Sequence, residues 1–226
     1  MTQTFVQGNH NETVSAVSSL TCAFTSNNAT ANNLLVYTAI WDPAAPNPTY
    51  ADTLNNTIID SGNGVLNQSA GGFNQQVLCV LKCKTGANTL TATWTGTQPS
   101  FSGLTVSEFH DSVNTGGWSI DKIASATGNS AAPASGNTAT TTNATEVVFG
   151  WCGGDASTIA SGTGFTSGET NQGTLTDLSE YKFVTSTGAQ NAAFTAGVSI
   201  NFAAQCVTFF ALGGAKGGTL PLMNVG

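Results

Sequence analysis

Arginine is absent from this chain, and its five basic residues are all lysines: Lys82, Lys84, Lys122, Lys182 and Lys216. Twelve acidic residues bring the formal net charge to -7. A nucleic-acid interface neutralises phosphates with clustered Lys and Arg and reads bases largely with Arg. That class is therefore set aside, and binding to anionic membrane surfaces is disfavoured for the same reason. Charge of either sign is scarce: 8% of the 226 residues, where about 25% is usual. Thr, Ser, Asn and Gly take its place, a composition that suits a rigid particle or surface layer better than a cytosolic enzyme.

No apolar run approaches the roughly 20 residues that a membrane helix needs. The first seven residues have neither the basic region nor the apolar core of a secretory signal. The expectation is a protein that bypasses the general secretory route, as a virion protein would, or one whose leader has been removed. Cysteine is present in an odd number, at positions 22, 79, 83, 152 and 206. No Cys-x-x-Cys pair exists, so a zinc site has no support. Cys79 and Cys83, four apart in a strand, are about 13 Å apart by strand rise and cannot bridge each other. Buried free thiols are the expectation, with a Cys22–Cys206 bridge as the alternative.

What the chain does have is period-two alternation. In residues 89–95, Leu90, Ala92 and Trp94 fall on one side and four threonines on the other. This is the pattern of a strand with one buried and one wet face. Val77, Cys79, Leu81 and Cys83 share a face before it, and Leu104, Val106 and Glu108 share one after it. Short turns between the three runs predict an antiparallel meander over residues 73–111.

Residues 3–7 and 13–24 read as opening strands. The continuous apolar run 34–41 reads as a strand buried on both faces. A three-proline loop follows, then short strands between 50 and 67. Further strands are expected at 118–126, at 138–142 paired with 145–151 around Asn143-Ala144, at 175–186, at 190–196 and in a long final run from 198 to 212. Residues 153–174 read as a surface excursion. No segment carries helical periodicity or caps.

About a dozen strands predict an all-β, antiparallel β-sandwich, jelly-roll-like, formed by residues 1–212 as one domain. Its first and last strands are expected side by side. A Gly-rich hinge and an apolar arm follow at 213–226. Leu220, Pro221, Leu222, Met223 and Val225 are too apolar for a solvated tail, and they are expected to contact another copy of the chain.

The run 34–41 ending in Trp, then Asp-Thr-Leu-Asn-Asn-Thr at 52–57, Asn-Thr-Leu-Thr-Ala-Thr at 88–93 and Leu-Thr-Val-Ser-Glu-Phe at 104–109, resembles a loose group of β-sandwich proteins of bacteriophage virions and bacterial cell surfaces. The second element usually reads Asp-x-x-Gly-Asn-Thr there, and Asn55 stands where glycine is usual. The resemblance covers roughly residues 30–212. It implies a jelly-roll-like module and carries over no catalytic residue.

Few residues qualify as a site. Residues 108–111 (Glu-Phe-His-Asp) are the densest ionisable cluster, and a buried Glu108 could serve as an acid. The expectation is instead a carboxylate buried at a sheet edge and satisfied by Ser, Thr or backbone donors. Asp111 and Asp121 are the nominal carboxylate pair for glycoside hydrolysis, and no Gly-x-Ser-x-Gly elbow supports a nucleophile. Asp60 and Asn63, in Asp-Ser-Gly-Asn-Gly, resemble a calcium loop but lack its further acidic residues. The five Asn-x-Ser/Thr sites match what chance gives in a chain this rich in Asn, Ser and Thr. Trp118, after Gly116-Gly117, is the tryptophan expected to be exposed for glycan stacking.

The sequence thus predicts a non-enzymatic structural virion protein, a capsid decoration or tail component without cofactors. Its expected partners are itself and a capsid or tail protein. The alternatives are an extracellular filament or surface-layer subunit, and a carbohydrate- or receptor-binding module.

Overall fold

A computed structural model describes residues 3–24, 28–155, 158–172 and 176–213. These residues form sixteen strands and no helix, and every strand pairing is antiparallel. The fold is an all-β antiparallel sandwich. The strands divide into two successive sets. The first comprises β1 (Gln3–Thr13), β2 (Ser19–Ala23), β3 (Leu34–Trp41), β4 (Thr49–Asp52), β5 (Ile59–Asp60), β6 (Leu66–Gln68), β7 (Phe73–Val80), β8 (Thr89–Thr93) and β9 (Ser102–Asp111). The second comprises β10 (Asn114–Ser130), β11 (Glu146–Gly154), β12 (Ile159–Ser161), β13 (Thr166–Gln172), β14 (Thr176–Val184), β15 (Phe194–Ala196) and β16 (Ile200–Gly213).

The two sets repeat one topology. The large sheet of the first runs β1-β9-β3-β7-β5, with β6 also on β7, and that of the second runs β10-β16-β11-β14-β13. In each, the set's first strand pairs with its last, its central strand lies next, and later strands follow outward. The small sheets match as well. One runs β2-β8-β4. In the other, β12 pairs with β15, and β15 is bonded on its far side to residues 131–135 through Phe194 N to Pro133 O and Ala196 N to Ala131 O. The stretch around 131–135 thus takes the place of β2.

Four layers result, because both large sheets are buried on both faces. Odd residues of β3 (Leu35, Tyr37, Ala39, Trp41) pack with Leu20, Cys22, Leu90 and Trp94 of the first small sheet. Even residues (Leu34, Val36, Ile40) pack with Val147, Phe149, Trp151, Val207 and Phe209 across the interface between the two large sheets. The other face of the second large sheet (Val148, Cys152, Ala204, Cys206) packs against Ile159, Ala192 and Phe194. This is why β3, β11 and β16 read as near-continuous apolar runs: a strand covered on both sides has no wet face to alternate with. Gly153 allows close approach of the large sheets, since a Cβ there would lie 2.7 Å from Gln75 Oε1 and 2.9 Å from Ile40 Cδ1.

Several expectations are corrected. The segment 73–111 is not a meander: β7 and β9 lie in the large sheet, both bonded to β3, while β8 belongs to the small sheet between β2 and β4. The eight-residue connection 81–88 is long enough to carry the chain to another layer. Residues 138–142 do not pair with β11. They bond instead to the 188–190 stretch, through Thr138 N to Gln190 O and Thr141 N to Gly188 O. The described residues of 153–174 contain β12 and β13, where a surface excursion is expected. The chain's first and last strands are not neighbours; that relation holds within each set. All five cysteines are free and buried. Cys22 and Cys206 belong to opposite outer cores, so no bridge can join them.

Candidate functional site

Glu108 is fully buried on the β9 face that looks toward the small sheet. Its Oε2 accepts from Gln7 Nε2 at 2.6 Å, and its Oε1 accepts from Asn33 Nδ2 at 2.7 Å and Thr30 N at 2.9 Å. His110 Nδ1 lies 2.8 Å from Asn33 Oδ1, and Asp111 Oδ1 accepts from Val113 N at 2.9 Å. Three donors and complete burial give Glu108 no route to a substrate. It ties β9 to β1 and to the entry of β3.

Residues of the 52–57 and 88–93 stretches also do structural work. Asp52 Oδ2 accepts from Tyr37 Oη at 3.1 Å, Asn56 Nδ2 at 2.9 Å and Asn88 Nδ2 at 3.3 Å, while Oδ1 accepts from Asn56 N at 2.9 Å. Asn55 has φ +50°. That left-handed conformation is the one glycine adopts freely and Asn tolerates best among other residues, which suits Asn to this turn. The Tyr37 hydroxyl, buried beside the Asp52 carboxylate, is pushed far above its ordinary pKa, chiefly by burial.

Asp60 and Asn63 are engaged by the protein itself. Asp60 Oδ1 accepts from Gly62 N at 2.6 Å and Gly64 N at 3.1 Å, and Oδ2 accepts from Gln76 Nε2 at 2.6 Å. Asn63 Nδ2 donates to Cys206 O at 3.3 Å, across to the second set. Gly62 and Gly64 take the positive φ the turn requires. No group of three or more His, Cys, Asp or Glu able to hold a metal occurs among the described residues. The loop is a turn that docks one half on the other.

Trp118 is corrected. It is only 2% exposed, its ring packs in the core between the large sheets, and its Nε1 donates to Asn32 O at 3.1 Å. The glycines before it allow the backbone to pass against Leu81, whose carbonyl accepts from Trp118 N at 2.7 Å. Trp41, Trp94 and Trp151 are buried too, so no tryptophan offers a face to a sugar.

Among the described residues, no hydrogen bond links Asp111 to Asp121; the acid beside Asp121 is Glu146. At the bulge in β10 between Ile120 and Ile123, Asp121 Oδ1 accepts from Lys122 Nζ and Thr142 Oγ1, both at 2.7 Å. Burial opposes its ionisation, but the Lys122 ammonium and the Thr142 donors outweigh this and hold the carboxyl well below the usual range. Glu146, wholly buried, is pushed up to about 7 by burial and by Asp121, against the pull of Thr208. Glu180 is likewise raised to about 7 by burial, although Gly162 N donates to it at 2.8 Å. Two carboxyls with divergent pKa values are the raw material of acid–base chemistry. Here the raised member has no exposed surface. Glu146 was legible as the lone charge at the head of an apolar run.

Two clefts among the described residues are roomy enough for a small ligand. One, of about 340 Å3, lies between Asn55, Asn56, Ile59, Leu81, Lys82 and Lys84. Lys84 Nζ is already bonded to Leu54 O at 3.1 Å and Asn55 O at 2.6 Å. The other, of about 210 Å3, is lined by Asn143 to Thr145, Phe210 and Ala211. Neither presents a carboxylate, imidazole or thiol. The arm residues Leu220, Pro221, Leu222, Met223 and Val225 lie outside the described residues. No protein-family model matches the chain, and no curated protein or solved structure matches it either.

Proposed function

We propose that the protein is a structural, non-enzymatic component of a virion, a capsid decoration or tail protein that acts by self-association and lattice binding. One observation carries this reading: the chain's polar chemistry is spent on its own fold. Asp42, Asp52, Asp60, Glu108, Asp121 and Asp155 all accept hydrogen bonds from residues of the same chain. What remains outside is largely Thr, Ser, Asn and Gly on a four-layer β stack. Such a body has little with which to transform a substrate and much with which to pack. The apolar residues 220–225 supply the adhesive, with each Å2 of apolar surface they bury contributing about 25 cal/mol. An extracellular filament or surface-layer subunit would use the same chemistry and differs in the compartment where it assembles.

The experiment is co-sedimentation of the purified full chain with phage particles stripped of decoration, beside solution mass by light scattering. The expected result is self-association together with saturable binding to particles. A chain that stays monomeric and sediments with no particle overturns the reading.

A further inference from the structure

We propose that the outer edge of β10, at residues 123–127, is the acceptor for the apolar segment 219–225 of a neighbouring copy. This rests on the assembly reading above and gives it a surface. β10 is the terminal strand of its sheet, bonded on one side to β16. Among the described residues, no backbone pairs with the other side of 123–127. Before the stretch, Trp118 N donates to Leu81 O at 2.7 Å on the side away from β16, and the bulge between Ile120 and Ile123 follows. The stretch itself reads Ile-Ala-Ser-Ala-Thr, and its register with β16 runs one to one from Ile123↔Val207 to Thr127↔Ala203. Ile123 is 38% exposed, and Ser125 and Thr127 are exposed as well.

Sheet edges are ordinarily blunted by charge, proline, a bulge or a cover. The strand that occupies the same place in the first half, β1, has such protection. It is bulged between Phe5 and Gln7, Asn9 and Asn11 donate to Ala23 O and Thr21 O of β2, and the Glu169 side chain lies across Gly8. In β10 the bulge and both charges fall before residue 123, which leaves 123–127 regular and neutral, with the Gly62 turn against the Ile123 side chain but no backbone partner on that side among the described residues. An added strand supplies main-chain hydrogen bonds at such an edge.

The segment 219–225 suits this place. It is uncharged, Leu220 and Leu222 fall on one face, and Met223 and Val225 fall on the other. Pro221 lacks an N–H and is tolerated in a strand where that side of the backbone faces outward, as it does in a strand added at an edge. The chain's own segment is poorly placed for the role. Gly213 pairs with Asn114, and the level of Ile123 is six residues of β16 away, about 20 Å by strand rise. A further ~10 Å is needed to pass around β10. Most of the residues after 213 would be drawn out to cover that path, and the remainder would run parallel to β10, the weaker pairing. A neighbour's segment can enter whole and antiparallel.

The test uses the full chain and two variants. Ser125→Lys with Thr127→Lys charges the acceptor at exposed positions. Leu220→Asp with Leu222→Asp spoils the donor. Light scattering is expected to show association of the unaltered chain, monomers for each variant alone, and a 1:1 dimer of doubled mass when the two variants are mixed. If the donor variant is monomeric but the acceptor variant still associates, the arm reading stands and this edge is overturned. If the acceptor variant is monomeric but the donor variant associates, the edge pairs with itself and the donor is overturned. If both variants associate, or the mixture stays monomeric, the pairing is overturned outright. Should the lysine variant lose its cooperative thermal transition, Thr127→Glu alone is read in its place.

Discussion

Single side chains in this molecule are fastened more tightly than its plain composition suggests. Glu108 gathers three donors from three separate segments in a site closed to water. Its replacement by Ala leaves the amides of Gln7 and Asn33 and the N–H of Thr30 buried without an acceptor. The expected loss is about 3–5 kcal/mol in urea unfolding, and a loss under 1 kcal/mol would remove Glu108 from its structural role. Glu146 and Glu180 act in the opposite direction. Each titrates near 7 in the folded protein and near 4.3 when unfolded. The folded state holds protons that the unfolded state releases, so their contribution falls as pH rises from about 4.3 to about 7. Asp42 and Asp121 are held low, and their contribution is lost as pH falls through the folded pKa. The melting temperature is therefore expected to peak near pH 5 and to decline toward pH 8. Glu146→Gln should flatten the decline, and an unchanged slope would contradict the assignment. For Glu108, burial and satisfaction by donors are legible in the sequence, but the place and the donors are not: β9 lies between β1 and β3 and not at a sheet edge, and two of the three donors are the amides of Gln7 and Asn33 where Ser, Thr or backbone groups are expected. For Trp118 the Gly-Gly flank points to exposure, and the structure shows the reverse. Those glycines instead let the backbone pass against Leu81 and set the ring inward.

Strands were legible and their partners were not. Alternation located β8, and the unbroken apolar run located β3. The sheet each strand joins depends on where long connections lead, which no local pattern encodes. One signal was nevertheless available. Residues 77–80 are apolar without a break, as a strand covered on both faces must be, whereas β8 alternates with a clean row of threonines. A one-faced strand does not sit comfortably between two-faced ones, and this could have sent β8 to an outer layer. Gly153 tests the contact between the two large sheets. Gly153→Ala would push a methyl against Gln75 and Ile40, and the expected cost is about 1–3 kcal/mol by urea unfolding. A neutral result would mean that the sheets are not packed this closely.

For the molecule as a whole, duplication of one topology was hidden from the sequence, because the two sets share strand order and not residues. The interface between their large sheets is also what makes each half depend on the other: it buries Phe109, Phe149, Trp151 and Phe209 at once. The thiols report on this integrity. Burial pushes Cys22, Cys79, Cys83 and Cys206 up to about 12, and Cys152 is raised as well, chiefly by burial. A disulfide-exchange reagent at pH 8 is expected to find essentially no reactive thiol in the native protein and all five in guanidinium. Fast labelling of one or more thiols in the native state would show that a layer opens.

The pairs Gln3↔Asp111 and Asn114↔Gly213 have a geometric consequence of their own. Asp111 and Asn114 are three residues apart, so the two ends of the described chain meet within about 20 Å of each other. Whatever precedes residue 3 and whatever follows residue 213 leave from the same pole. A fluorescent protein or an epitope joined directly to residue 3 or to residue 213 would be displayed on that one side, and the opposite pole would stay clear for a support. Immobilised there, the molecule would stand upright, all copies facing alike.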